Sequence, residues 1–234
     1  MHDLVIKGAT VVDGTGVGGF VADVGVAQGR IAAVGNDVGT GAEVIDAAGL
    51  TLTPGIIDPH THYDAQITWD PSASPSLELG VTTVLMGNCG FTIAPCRPAD
   101  RELTLKNLTQ VEGMSLDALL NGTLWEFETF PEYLDMLESK GVGPNVATYC
   151  GHSSLRTWVM GAEASTRAAR ADEVAEMKRL LLEALEAGAA GFATSTFEGH
   201  NGWGGTPMAS RLAELGELRR LSARSEKLGV VASC

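Results

Sequence analysis

From Pro54 onward the chain alternates short β-branched runs with helical patterns. That alternation dictates a parallel sheet covered by helices, because consecutive parallel strands need a crossover connection. The strand candidates are residues 55–58, 81–86, 145–150, 190–194 and 229–234. Between them the helical spacing is clearest over 172–187, where Val174, Met177, Leu181 and Ala184 share one face. Asp172 and Glu173 lie in its first turn, where the helix dipole favours negative charge, and Gly188 supplies a C-terminal stop. A second amphipathic helix is predicted over 212–228, closed by Gly229. The stretch from Pro95 to Gly143 predicts two or three short helices within one elaborate connection. Residues 2–53 read differently, with strand candidates at 4–6, 10–12, 20–26 and 31–34 separated by glycine-rich turns. Gly29-Arg30 suits a hairpin between the last two. The domain expectation is a small N-terminal β-sandwich segment, residues 1–53, followed by an α/β unit over 54–234.

Composition narrows the class of partner. With 44% hydrophobic and 19% charged residues, the 234-residue chain is globular rather than disordered. A formal net charge of −13 repels polyanions, which argues against nucleic acid or an anionic membrane surface. No basic and apolar leader is visible at Met1-His2-Asp3-Leu4, and no apolar run reaches the roughly 18 residues of a membrane helix. Cys89, Cys96, Cys150 and Cys234 show neither disulfide-scaffold nor CxxC spacing, so a reducing cytoplasmic setting is expected.

Chemistry concentrates at Pro54-Gly55-Ile56-Ile57-Asp58-Pro59-His60-Thr61-His62-Tyr63-Asp64. The stretch predicts a short buried strand whose end presents His60 and His62 on one face, with Thr61 turned away. Paired imidazoles at a strand end suit a divalent transition metal, most often zinc. Two loop histidines on the surface are the plain alternative. Cys89 follows the run Val81-Thr82-Thr83-Val84-Leu85-Met86, inside Gly87-Asn88-Cys89-Gly90. The two glycines permit a tight turn at the strand end, which is expected to expose the thiolate.

On these residues the chain resembles the amidohydrolase superfamily, metal-dependent hydrolases built on a TIM-like barrel. Pro54 to Asp64 is similar to its first barrel strand. The run from Gly80 to Gly90 is similar to the second strand of the N-acyl-D-amino-acid deacylase (D-aminoacylase) branch. Further similarity lies at Val111-Glu112-Gly113-Met114, at 125–131, at Gly151-His152-Ser153-Ser154-Leu155-Arg156 and at 188–195. The resemblance implies an incomplete TIM-like (β/α) barrel, the first five of eight strands, belonging to the N-terminal portion of a longer protein. It implies one or two Zn2+ ions held by His60, His62 and Cys89, with Cys234 standing where the family's strand-five histidine falls. Either Cys234 ligates in its place or this subgroup lacks that ligand. A strand-six histidine, the general-base aspartate and the arginine that recognises the substrate carboxylate are expected after residue 234. The implied reaction is zinc-assisted hydrolysis of a small-molecule N-acyl-D-amino acid to a D-amino acid and a carboxylate.

Four further residues are candidates. His152 is open between a first ligand, a hydrogen-bonding partner to ligand or transition state, and a structural histidine. Asp64 is placed to orient a ligand imidazole, or is a plain loop carboxylate. His200 and Trp203, in the glycine-rich run Glu198-Gly199-His200-Asn201-Gly202-Trp203-Gly204-Gly205, are expected on a flexible loop at the barrel mouth, where they either touch substrate or face solvent. Two other readings stand beside the deacylase. One is a non-catalytic or truncated homologue that binds metal without turnover. The other is a cyclic-amide hydrolase, which Cys89 and the absence of a lysine in Gly191-Phe192-Ala193-Thr194-Ser195 disfavour.

Overall fold

Two units emerge from the chain, Met1–Gly55 and Ile56–Cys234. The computed structural model describes residues 1–228 and 231–233, without the side chains of 111–112 and 224–233.

The first unit is a five-stranded sheet. β1 (His2–Val11) pairs antiparallel with β2 (Phe20–Ala27), which pairs antiparallel with β3 (Arg30–Gly35). β4 (Gly41–Asp46) and β5 (Thr51–Leu52) run parallel to β1. The turn at Gln28-Gly29 makes the expected hairpin. The candidates at 4–6 and 10–12 form one strand, not two: the register shifts between Ile6 and Ala9, and the bulge absorbs the extra residue. β4 has no counterpart among the expected strands. It lies mostly exposed, so it lacks the apolar-polar alternation from which a strand is read. Val11, Ala22 and Val24 make a small core with Ile6 and Leu52 against it.

The second unit is a mixed α/β layer on a curled, parallel half-barrel sheet. Its strands are β6 (Ile56–Asp58), β7 (Val81–Met86), β8 (Asn145–Gly151), β9 (Gly191–Thr194) and β10 (Val231–Ser233). They pair in the order β10-β9-β8-β7-β6, every pairing parallel. The β7–β8 connection carries α1 (Arg101–Glu112), α2 (Leu116–Gly122) and α3 (Phe130–Lys140), matching the expected short helices. α4 (His152–Met160) and α5 (Ala171–Ala187) join β8 to β9, and α6 (Leu215–Leu228) leads to β10. α5 buries the face the spacing foretold, with Val174, Met177, Leu181 and Ala184 all in the core. Truncating one such leucine to alanine costs about 2–5 kcal/mol through lost transfer energy and the cavity left behind. α3 opens with a capping box: Thr129 accepts from the Glu132 N–H, and Glu132 reaches back to the Thr129 N–H.

One expectation changes here. β6 is the edge of its sheet, and Ile56 and Ile57 stay exposed instead of buried. With a single strand neighbour, β-branched residues satisfy strand geometry without gaining a covering layer. The last expected strand, 229–234, is present over Val231–Ser233, and its remaining residues lie outside the described ones. Among the described residues, no helix is long and apolar enough to cross a membrane.

Candidate metal centre

β6 stops at Asp58 because Pro59 offers no N–H for a ladder, and the Asp58 carboxylate accepts the His60 N–H at 3.1 Å to turn the chain. His60 and His62 therefore lie past the strand end, and strand alternation is not what aims them. Thr61, between them, does that work. Its N–H and its hydroxyl both donate to the carbonyl of Leu85 in β7, at 3.0 and 2.8 Å. Asn88 donates to Thr61 O at 3.2 Å and to Leu85 O at 2.8 Å, tying the ends of β6 and β7 together.

Cys89 sits in the single helical turn Asn88–Gly90 with φ +56°, ψ +9°, a left-handed conformation that costs an L-residue roughly 1–2 kcal/mol. Such strain persists where the surroundings fix it. Gly87 and Gly90 hold the turn from both sides. A Cβ on Gly87 would lie 2.5 Å from Tyr149 O, and one on Gly90 would lie 3.0 Å from Ala193 O. The sulfur is not exposed as expected: Cys89 is buried, with Sγ 3.5 Å from His60 Nε2. The left-handed turn carries the side chain to His60 instead of out to solvent.

Donor atoms of His60, His62 and Cys89 all lie within 4.8 Å of one another. The His60 and His62 rings meet edge-on at 5.4 Å. This donor set fits a metal ion. Bonds of about 2.0 Å to nitrogen and 2.3 Å to sulfur at a tetrahedral angle put the two donors about 3.5 Å apart. His62 Nδ1 is buried with no hydrogen-bond partner among the described residues. Burial, reinforced by the charges of His60 and His200, holds the His62 pKa down to about 4, so its imidazole is neutral near pH 7, the form that ligates. Asp64 follows two residues after His62 and, among the described residues, makes no side-chain hydrogen bond to either histidine, its carboxylate turning to the β7 end instead. It is fully buried, accepts the Gly87 N–H at 3.2 Å through Oδ2 and leaves Oδ1 unpartnered. Burial pushes its pKa up to about 7 despite the Gly87 hydrogen bond.

The remaining candidates separate. His152 is wholly buried, and both ring nitrogens have partners: Nδ1 with Thr194 Oγ1 at 2.8 Å, Nε2 with Glu217 Oε1 at 2.9 Å. It lies outside the group of three donors. His200 stands near them. Its ring contacts Phe91 at 5.0 Å, and Phe91 in turn faces His62 at 6.3 Å. The glycine-rich run is braced rather than loose: Met208 N–H donates to His200 O, Arg211 donates to His200 O and Asn201 Oδ1, and Ser195 Oγ engages His200 Nδ1 at 2.7 Å. Trp203 packs instead on α1, its backbone N–H donating to Asn107 Oδ1 and its ring beneath the Lys106 ammonium. Cys234 lies outside the described residues. Thr61, Asn88, Phe91, Arg156 and Glu217 escaped sequence reading. Thr61 and Asn88 stood inside the recognised motifs without a role, and Arg156 lies four residues after His152 and so on the same helical face.

The curled parallel half-barrel gathers His-x-His and a cysteine at its strand ends, a donor set suited to a metal ion. The amidohydrolase family pattern matches residues 43–234, and the chain belongs to that family. It is 41% identical over 196 residues to an N-acyl-D-aspartate deacylase of Alcaligenes xylosoxydans xylosoxydans, a match covering 83% of this chain and 37% of the relative. A solved D-aminoacylase mutant in complex with copper chloride superposes with a TM-score of 0.79 at 34% identity, over 98% of this chain and 44% of that one. N-acyl-D-glutamate deacylase from Bordetella bronchiseptica, complexed with zinc and a phosphonate inhibitor, gives a TM-score of 0.77 at 32% identity, over 97% of this chain and 43% of that one. The chain thus spans less than half the length of each of these relatives.

Proposed function

We propose that this chain supplies the first half of the active site of a zinc-dependent deacylase acting on N-acyl-D-amino acids. The observation that carries the reading is the convergence of His60, His62 and Cys89, two imidazoles and one soft sulfur, from the ends of two adjacent parallel strands. His60, His62 and Cys89 would hold the ion. Bound there, zinc would polarise an acyl carbonyl and lower the pKa of a water molecule. Thr61 and Asn88 keep the donors in register, and Asp64 backs the turn that carries Cys89. On the substrate side, His200 stands beside Phe91, while Trp203, packed on α1, braces the same loop. The reading assigns the general base and the carboxylate-binding arginine to sequence beyond this chain. The product pair is a D-amino acid and a carboxylate.

Two coarser features join this reading. The first unit is one face of a β-sandwich, a role that suits the exposed Phe20, Ile31 and Val34. Cys96 and Cys150, buried as free thiols, suit the reducing cytoplasm.

The test is metal content. Purified with zinc and dialysed, the chain is expected to retain bound metal, and the double variant His60→Ala/His62→Ala to retain none. Unchanged zinc stoichiometry in the double variant refutes the centre. With the centre established, release of D-amino acid from a panel of N-acetyl-D-amino acids by the complete protein, against cyclic amides as the contrast, tests the substrate class.

A further inference from the structure

Four buried polar side chains form a continuous chain beneath the Cys89 turn. Arg156 in α4 is wholly buried and donates through Nη1 to both oxygens of Glu217 in α6, at 2.7 and 2.6 Å. Its Nη2 donates to the carbonyls of Ala164 and Arg167. Glu217 also takes His152 Nε2, and His152 Nδ1 meets the Thr194 hydroxyl at the end of β9. The proton positions follow from chemistry. Hydrogen bonds from His152 and Arg156 hold the Glu217 carboxyl below the usual carboxylate range although burial opposes them, so it is ionised and can only accept. Nε2 of His152 must then carry the proton, and Nδ1 accepts from Thr194.

Burying such a group of ions is costly in desolvation, and apolar residues of the same volume would generally stabilise as well or better. What the chain secures instead is position. Gly90 rests on Ala193, Thr194 and His152: a Cβ on it would lie 3.0 Å from Ala193 O, 3.1 Å from Thr194 Cα and 3.4 Å from His152 N. The backbone that carries Cys89 is therefore seated on the β8 and β9 ends that this network joins.

Building on the zinc-centre reading above, we propose that Glu217, Arg156 and His152 are positioning residues for Cys89: by locking the ends of β8 and β9 to α6 they hold the left-handed Cys89 turn, and with it the sulfur, in ligating position. None of the three belongs to the donor group.

The experiment replaces zinc by cobalt(II) in the full chain and follows the thiolate-to-cobalt charge-transfer absorption together with the cobalt affinity. Glu217→Gln keeps the shape and one acceptor but removes the charge. It is expected to weaken cobalt binding about 10–100-fold, as loss of an outer partner to a metal site does, and to shift or diminish the thiolate band. Thr194→Val, which removes only the hydroxyl, is expected to move both readouts in the same direction by less, and gives the answer if Glu217→Gln does not fold. Leu181→Ala, a core truncation in α5 outside the network, controls for stability. An unchanged band and affinity in Glu217→Gln, or in Thr194→Val where the former does not fold, overturns the proposal. So does an equal change in Leu181→Ala. Absence of any thiolate band in the unmutated chain overturns the zinc-centre reading itself, and this inference with it, so the two failures are told apart.

Discussion

Gly80 and Gly87 bracket the same strand, β7, and both take left-handed conformations, φ +89°, ψ +8° and φ +79°, ψ +16°. Their surroundings differ. A Cβ on Gly80 would find only Ile56 Cδ1 at 4.0 Å. On Gly87 it would lie 2.5 Å from Tyr149 O, 3.0 Å from Tyr149 N and 2.9 Å from Thr92 Cγ2. Changing either to alanine incurs the left-handed penalty, roughly 1–2 kcal/mol. Each also gains a few tenths to about 1 kcal/mol from the restricted unfolded chain, a term common to both that cancels in their difference. Gly87→Ala must additionally push the β8 backbone away, and overpacking against unyielding atoms costs about 1–3 kcal/mol. For a unit of this size each kcal/mol lowers the melting temperature by about 2–4 °C. Gly87→Ala should therefore melt roughly 2–12 °C below Gly80→Ala, where the range is the steric cost times that slope. Thermal unfolding of both variants, followed by circular dichroism at one scan rate, gives the comparison. Equal melting temperatures would refute the argument that close approach of β8, rather than the turn conformation alone, selects glycine at 87.

Other expectations concern charge and thiol chemistry. Glu173 accepts two hydrogen bonds from Arg167 and one from the Arg170 N–H, and its pKa falls to about 2. A carboxylate depressed in the folded state contributes stability above its unfolded pKa and loses it as pH falls towards the folded value. The destabilisation caused by Arg167→Ala should accordingly be full at pH 6 and shrink between about pH 4.5 and pH 2, as denaturant titrations at each pH would show; a pH-independent difference would refute it. Burial pushes the Cys150 thiol far above the ordinary thiol range and the Cys96 thiol up to about 11. Iodoacetamide at pH 8 should leave both unmodified in the folded chain and label both in denaturant, which peptide mass spectrometry reads directly.

What the sequence determined by itself is what rests on local periodicity and punctuation. β7 was legible to the residue, and β8, β9 and α5 to within one, because a strand's β-branched run and a helix's repeating apolar face are properties of neighbours in the chain. His60, His62 and Cys89 were legible as candidates for the same reason, each set just past a recognisable strand. Tertiary structure decided the rest. That Cys89 is buried beside His60, and that Thr61 and Asn88 fix the donors, both depend on how β7 sits beside β6. α4 starts at His152 without a periodic pattern long enough to announce it, and its meaning comes from Glu217, 65 residues away. A hydrogen bond or a steric gap between distant segments leaves no periodic mark on either one. The chain writes which residues can act locally, and only packing decides which of them meet.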